Sequence, residues 1–494
     1  PRGEDVSIGF EWRASIMANS SRDPYWQASV RRETIDHGES KAAIEDECSI
    51  CHMPITRYEA KLQGRNGQVF AHIPFKDAKL GKEAGDGVNC SVCHQISKEK
   101  LGTRESFNGG FTVDPPLPGN VRPEYGPFEV DAGHQQIMRS STGGFQPVLS
   151  SEHIRQSETC GTCHTLYTKT LGPGGKVIGE LPEQTPFVEW LHSSYKDKQT
   201  CQSCHMPVVQ EPVPITRVFG EPREGLSRHT FVGANFFMLR MLNKYRDELE
   251  VAALPQELAA AAEGTVAFLK SSAARLSISG VRVESGQLRA EVFVDNVSGH
   301  KLPTAYPSRR AWLHVTVRDR DGRIVFESGA LRPDGSIVGN DNDTDAARFE
   351  PHYGEITRSE QVQIYEDIIG DPNGRVTTGL LAGVGYLKDN RLLPHGFDKR
   401  TAGKDFAVIG EAASDPGFTD EGHRIRYAIA LGDAQGPFRV EAALWYQPIG
   451  FRWANNLKPY ARTAAEPQRF TRYFDAMGNA TSVNLARAEF VYAR

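Results

Sequence analysis

The chain has 494 residues, 39% of them hydrophobic and 24% charged, with a formal net charge of -5. That length exceeds one ordinary core and sets a prior of about two to four domains; the composition is that of a globular protein, and the weakly acidic balance argues against nucleic acid as a partner. No run approaches the roughly 18 to 20 apolar residues of a membrane-spanning helix, and the opening at Pro1, without methionine, basic region or apolar leader, gives the expectation of an exported chain whose signal peptide has been removed.

In chain order, Asp23 as N-cap and Pro24 at the first helical position open a helix over "DPYWQASVRRETIDHGES". It leads to "CSICHMP" at 48–54, and the same cassette returns as "CQSCHMP" at 201–207. Between them stand "CSVCH" and "CGTCH", so Cys48, Cys51, Cys90, Cys93, Cys160, Cys163, Cys201 and Cys204 form four Cys-x-x-Cys pairs with none left over. Each pair is followed at once by a histidine, His52, His94, His164 or His205, which is the attachment signature of c-type haem. The two thiols form thioethers to one edge of the porphyrin, and the adjacent imidazole ligates the iron from below. Four covalent haems are the expected cofactors. Zinc ribbons and redox disulfides also use Cys-x-x-Cys, but neither needs a histidine after every pair.

An electron-transfer haem needs a sixth ligand, usually histidine and sometimes methionine. The first-choice candidates are His134 in "AGHQQIMRSSTGG", His153 in "SSEHIRQSETCGTCH" and His229 in "SRHTFVGANFFMLRML", with His37 as the fourth. The secondary candidates are His72, His192 and Met17, together with His300 further on, whose bland reading is a loop residue bonded to backbone. Met53 and Met206 share the ring side of the proximal histidine and are read as packing along the haem edge, not as ligands.

The first and second motifs lie 42 residues apart, the third and fourth 41, with 70 between the pairs, which reads as two haem pairs. The Gly- and Pro-rich segment 106–130 is expected to hold little regular structure. Short helices are expected at "SEHIRQSETCGTCH" and "TPFVEWLHSSYKDKQTCQSCH". From 234 to 274 two helices with apolar residues at helical spacing form a joint. Beyond 275 the period becomes two, in "RLSISGVRVESGQLRAEVFVDNVSG", "RRAWLHVTVRDRDGRIVFESG" and "RIRYAIALGDAQGPFRVEAALWYQPI". Alternating strands broken by turns, with "DRDGR" as a hairpin, indicate an antiparallel β-sandwich of Ig-like type. In "GNDNDTD", Asp341, Asp343 and Asp345 alternate as in loops that wrap calcium, against the reading of a solvated acidic turn. The expected architecture is multidomain: a haem-cored, mostly α and irregular domain over 1–233, a helical connector over 234–274 and the β-sandwich over 275–494.

The four motifs, two of them continuing as "CHMP", with "RDPYWQASV", "DGVNCSVCHQI", "CGTCHTLYT", "EWLHSSYKDKQTCQSCHMP" and "RHTFVGAN", make the first 245 residues resemble a tetrahaem member of the multihaem c-type cytochromes, the lineage of pentahaem nitrite reductase and octahaem hydroxylamine oxidoreductase. The resemblance implies bis-histidine haems stacked into a wire and supports His134, His153 and His229 as distal ligands. Relatives with a "W-x-x-S-x-His" phrase before the last motif ligate through that histidine; here Tyr195 stands in its place, with His192 three residues earlier. The lysine that replaces a motif histidine in the nitrite reductases is absent. The second half resembles a β-domain appended to such cytochromes. The expected function is single-electron transfer between a donor and an acceptor redox protein in the periplasm or at the cell surface, with self-assembly or docking to a membrane-bound redox complex as the wider setting. The alternative is an oxidoreductase in which one open haem acts on a small nitrogen or sulfur compound.

Overall fold

The computed structural model describes residues 5–76, 82–118, 121–141, 145–216 and 219–493. In the first half the chain forms short helices joined by loops. The longest of them, Pro24–Asp36, begins where the sequence calls for it: the Asp23 carboxylate accepts from the Tyr25 and Trp26 N–H groups at 2.8 and 3.1 Å, and Pro24 occupies N1. The region before the third motif is less helical than its pattern suggests, a 3-10 turn at Glu152–Arg155 followed by the helix Ser157–Gly161. The Gly- and Pro-rich stretch carries a strand, Arg122–Gly126, paired in parallel with Phe145–Ser150.

The joint holds the helices Phe236–Lys244 and Pro255–Ser272. Phe236, Phe237, Met238, Leu239, Met241 and Leu242 are all buried, while Arg240, Asn243 and the exposed Lys244 form the polar stripe of the first of these. Its neighbours include Phe474, edge-on to Phe237 at 5.8 Å.

The second half is built on two five-stranded sheets. One runs Ile324–Ser328, Arg310–Arg318, Phe438–Gln447, Val483–Tyr492, with Ile364–Tyr365 attached to Arg310–Arg318. The other runs Glu355–Ile356, Gly422–Ala430, Gln287–Asn296, Ala274–Glu284, with Phe418–Thr419 attached to Gly422–Ala430. All pairings are antiparallel except the short Glu355–Ile356 strand. The "DRDGR" turn forms because the Asp319 carboxylate accepts from the Asp321 and Arg323 N–H groups at 3.0 and 2.9 Å. In Gln287–Asn296 every second residue is buried, Leu288, Ala290, Val292 and Val294 among them, which is the alternation a one-sided sheet requires.

One hydrophobic cluster joins the halves. It runs from Ala14, Tyr25, Phe187 and Trp190, through Met241 and Leu258, to Val292, Val315 and Leu444. The late helix Ala465–Asp475 lies on Pro24–Asp36: Tyr25 is 5.1 Å from Phe470 and 5.8 Å from Tyr306, and Arg31 makes two 2.9 Å bonds to the Glu466 carboxylate. The expected boundaries near 233 and 274 are therefore crossed by continuous packing.

Candidate haem-binding site

Each attachment motif lies in or directly at a helix. The first closes the helix Lys41–His52, the second forms Cys90–Gln95, the third follows from Ser157–Gly161, and the fourth forms Cys201–His205. Two are capped by a polar side chain immediately before the first cysteine: Asn89 accepts from the Val92 N–H and Thr200 from the Ser203 N–H, both at 3.3 Å. The cap sets the turn on which both thiols and the imidazole must share a face.

The third motif sits between the first and the fourth. The neighbouring Cys51 and then burial raise the pKa of the Cys163 thiol, and the neighbouring Cys201 and then burial raise that of Cys160. The Cys201 N–H also donates to Ser157 Oγ at 3.0 Å. Between the first and third motifs runs the Asn108–Gly109 turn, whose N–H groups donate to the Thr165 and Thr162 carbonyls at 2.9 and 2.7 Å. Gly109 has a φ of 68° and a Cβ there would stand 2.2 Å from the Ile50 side chain, so only glycine fits. Pairing by spacing alone did not reveal this first-to-third contact.

In three of the motif histidines a backbone contact selects which ring nitrogen keeps its lone pair. Nδ1 of His52 donates to the Ser20 carbonyl at 3.0 Å, that of His94 to Tyr125 at 2.6 Å, and that of His205 to Val232 at 2.6 Å. A carbonyl only accepts, so Nδ1 carries the hydrogen and Nε2 keeps its lone pair. Burial pulls His52 and His205 down to about 4, so both stay neutral at pH 7. Trp26 stacks on the His52 ring at 4.3 Å. His164 is lowered by burial and by the neighbouring Arg309 cation.

Two further imidazoles stand opposite motif histidines. His229 is 6.4 Å from His94 between ring centres with planes 19° apart, and His300 is 6.3 Å from His205 with planes 8° apart. Metal–imidazole bonds of about 2.0 to 2.1 Å, with roughly 1.1 Å from nitrogen to ring centre on each side, put two trans imidazole centres about 6.2 to 6.4 Å apart. Nδ1 of His229 donates to Ser227 at 3.0 Å and that of His300 to Lys301 at 2.9 Å, leaving Nε2 as the lone-pair nitrogen in both. The four cysteine pairs, each followed by a histidine, and the ring separations of these two imidazole pairs fit covalent haem with two axial imidazoles.

The other sequence candidates lie elsewhere. His134, on the helix Ala132–Ser141 at the surface, donates Nε2–H to the Phe219 carbonyl at 2.8 Å and Nδ1–H to Asp131; both contacts raise it toward the charged form, which has no lone pair. Buried His153 donates Nε2–H to the Ile96 carbonyl at 2.8 Å and accepts from the Ser151 hydroxyl at 2.6 Å, so both its nitrogens are committed to protein. His37 ends the Pro24–Asp36 helix with Nε2 3.8 Å from the Glu33 carboxylate. His72 ends the 3-10 turn Phe70–His72, and Met17 is tied through its carbonyl to the Val88 N–H at 3.0 Å. His192 donates Nδ1–H to the Val188 carbonyl at 2.8 Å, which leaves Nε2 available, and its ring packs 4.3 Å from Phe406. Met53 is buried in a cluster with Val30, Ile44 and Phe75, beside Cys48.

Asp341, Asp343 and Asp345 are not gathered around a common point. They fold as the one-turn helix Asp341–Thr344 and its cap, where Asp343 takes two bonds from buried Arg310 at 2.7 and 3.0 Å and one from the Ile337 N–H at 2.8 Å. Asp341 pairs with Arg348, and Asp345 accepts from the Ala347 N–H at 2.9 Å. Both Asp343 oxygens are spent on guanidinium and backbone donors, so this carboxylate is not free to wrap a calcium ion in the geometry the structure shows.

Among the described residues one group with metal-ligand chemistry was not visible in the sequence: His352, Asp415 and His423, whose candidate ligand atoms lie within 4.8 Å of one another. Nε2 of His352 and of His423 reach Asp415 Oδ2 at 3.0 and 3.3 Å. Asn390 and Gln363 are oriented by backbone groups, accepting from the Glu366 and Tyr353 N–H groups, so both present N–H donors to His352 Nδ1 at 3.1 and 3.3 Å. His352 must therefore carry its hydrogen on Nε2 and donate it to Asp415. This is a buried hydrogen-bond knot rather than a metal site.

The knot predicts a pH dependence. Burial, then the adjacent His423, lowers His352 from its ordinary 6.5 to about 3. The folded state keeps it neutral while the unfolded chain takes up a proton below about 6.5, so its contribution is complete above that pH and is lost as pH falls toward 3. Between pH 7 and 4.5 the loss is about 3 kcal/mol, at 1.36 kcal/mol per pH unit. Denaturant titrations at both pH values should show this decrement in the parent and a smaller one in His352→Gln; equal decrements would remove the knot as the cause.

No family model and no curated protein matches this chain. Among solved structures it is similar to the crystal structure of a penta-heme cytochrome c552 from Thermochromatium tepidum, at 15% identity and a TM-score of 0.56. The likeness covers 98% of this chain and 96% of that one, so it includes the β-sheet half as well as the half that carries the four motifs. Along nearly its whole length, the chain shares the fold of a multihaem c-type cytochrome.

Proposed function

We propose that this chain is an exported tetrahaem electron carrier that passes single electrons between redox proteins. Four covalent haems are held by the eight cysteines and by His52, His94, His164 and His205. The second is ligated axially by His94 and His229, and the fourth by His205 and His300. The carrying observation is the pair of facing imidazoles at 6.3 and 6.4 Å, each with Nδ1 committed to a backbone carbonyl. Haem iron would supply the one-electron chemistry; the protein orients the imidazoles and fixes which nitrogen keeps its lone pair. For the first and third haems the distal ligand is drawn from His37, His72, His192 and Met17, or from His153 and His134 after their present hydrogen bonds break. The periplasm or cell surface is the proposed location, and donor and acceptor proteins the partners. No helix among the described residues is long and apolar enough to cross a membrane.

A second reading, reduction or oxidation of a small nitrogen or sulfur compound at one open iron, draws on His164, whose neighbour Arg309 is a cation suited to an oxyanion. The discriminating measurement is the absorption spectrum of the purified holoprotein with cyanide, carbon monoxide and nitrite. Electron transfer alone predicts low-spin bands that none of them moves. A high-spin fraction that shifts with nitrite would replace the first reading by the second.

A further inference from the structure

His300 belongs to the β-sheet half and His205 to the haem-bearing half, so something must hold them in register. The Lys301 peptide directly after His300 is gripped from the other side. Glu189, in the helix Pro186–Leu191, is 0% exposed. Its Oε2 accepts from the Lys301 N–H at 3.1 Å and the Thr304 hydroxyl at 2.5 Å, and its Oε1 meets Arg391 at 3.1 Å and the Thr185 hydroxyl at 3.2 Å. The carbonyl of the same Lys301 takes the hydrogen bond from His300 Nδ1. One residue thus joins the carboxylate to the imidazole through its N–H and its C=O.

The grip is anchored behind by a buried charge network. Arg391 forks onto Asp389 at 2.9 and 2.7 Å, Lys301 Nζ reaches Asp389 at 2.7 Å, and Arg391 lies 3.4 Å from Asp367. The His300 carbonyl is pinned by Asn296 at 2.8 Å and Ser298 at 3.0 Å, and Tyr195 from the haem half donates to the Val297 carbonyl at 2.9 Å. A buried carboxylate that spends three of its four contacts on one loop and its anchor is costly to desolvate unless the geometry it enforces is needed.

We propose that Glu189 is the positioning residue for the sixth ligand of the fourth haem: it holds the Lys301 peptide so that His300 faces His205. The inference rests on the bis-histidine assignment above. Loss of the grip lets the loop move, and His300 leaves an iron open on its distal side.

The test uses haem-loaded protein and counts carbon monoxide bound to the reduced form. Glu189→Gln keeps the shape but turns an N–H donor toward the Lys301 N–H or Arg391. It is expected to gain about one CO equivalent per chain over the parent and to return to the parent value with added imidazole. Thr304→Val, which removes a single bond, is expected to give a fractional gain and serves if the first variant does not fold. His300→Ala is the reference. If His300→Ala gains a CO site while Glu189→Gln and Thr304→Val gain none, the positioning role is overturned and the ligand assignment stands. If His300→Ala itself gains none, the assignment fails.

Discussion

Replacing Cys160 and Cys163 together by serine is expected to cost the chain more than one haem. The third motif touches the first through Cys163 and Cys51 and the fourth through Cys160 and Cys201, with the Gly109 turn wedged alongside. A porphyrin missing there leaves both neighbours without a wall, and a void of that size cannot be refilled by side-chain relaxation. The expected haem content, by pyridine haemochromogen assay per mole of chain, is below three, with most of the chain lost to degradation. The matched variant Cys90→Ser with Cys93→Ser removes a motif nearer the margin, where Cys90 is exposed, and should yield folded protein with about three haems. Equal yields and equal haem loss in both variants would contradict the central position of the third motif.

Arg391→Met is expected to be the most damaging single substitution in the β-sheet half. Arg391 and Lys301 are the two cations among three buried carboxylates, Glu189, Asp389 and Asp367. Burial and the neighbouring anions push Asp367 up while Arg391 and Lys301 hold Asp389 down, so the charge of these carboxylates depends on the two cations among them. Removing the guanidinium leaves at least one anion buried and unpaired, a loss of about 3 to 5 kcal/mol. Chemical denaturation of the haem-loaded variant should report a loss in that range, larger than for Arg424→Met, whose partner Glu291 is at the surface. A loss below about 1 kcal/mol would mean that the network is not energetically closed.

Much of this molecule was legible in the sequence because its strongest signals are local. Four Cys-x-x-Cys-His motifs name a covalent group without any tertiary information, Asp23 and Pro24 start a helix by backbone chemistry, and the alternation in "QLRAEVFVDN" marks a one-sided strand. The second axial ligands were less legible because a distal imidazole has no spacing rule: it arrives from wherever the fold brings it. His229 stood among the first-choice candidates and His300 among the secondary ones, and their rings lie 6.4 and 6.3 Å from those of His94 and His205, with planes 19° and 8° apart. A helix-like context favoured His153 and the family resemblance favoured both His153 and His134, but in the structure their nitrogens are bonded to protein groups. Glu189 left one trace, a lone acid inside the apolar "PFVEWL". The His352, Asp415 and His423 knot left none, since its members are 63 and 8 residues apart and only the fold makes them neighbours.

An anomalous difference map at the iron edge, from crystals of the haem-loaded protein, tests the haem assignment most directly. Four peaks per chain are expected, one midway between the His94 and His229 rings and one midway between the His205 and His300 rings. A map without a peak between His205 and His300, or with that iron ligated on its distal side by another residue, would contradict the ligation on which the proposed electron path rests.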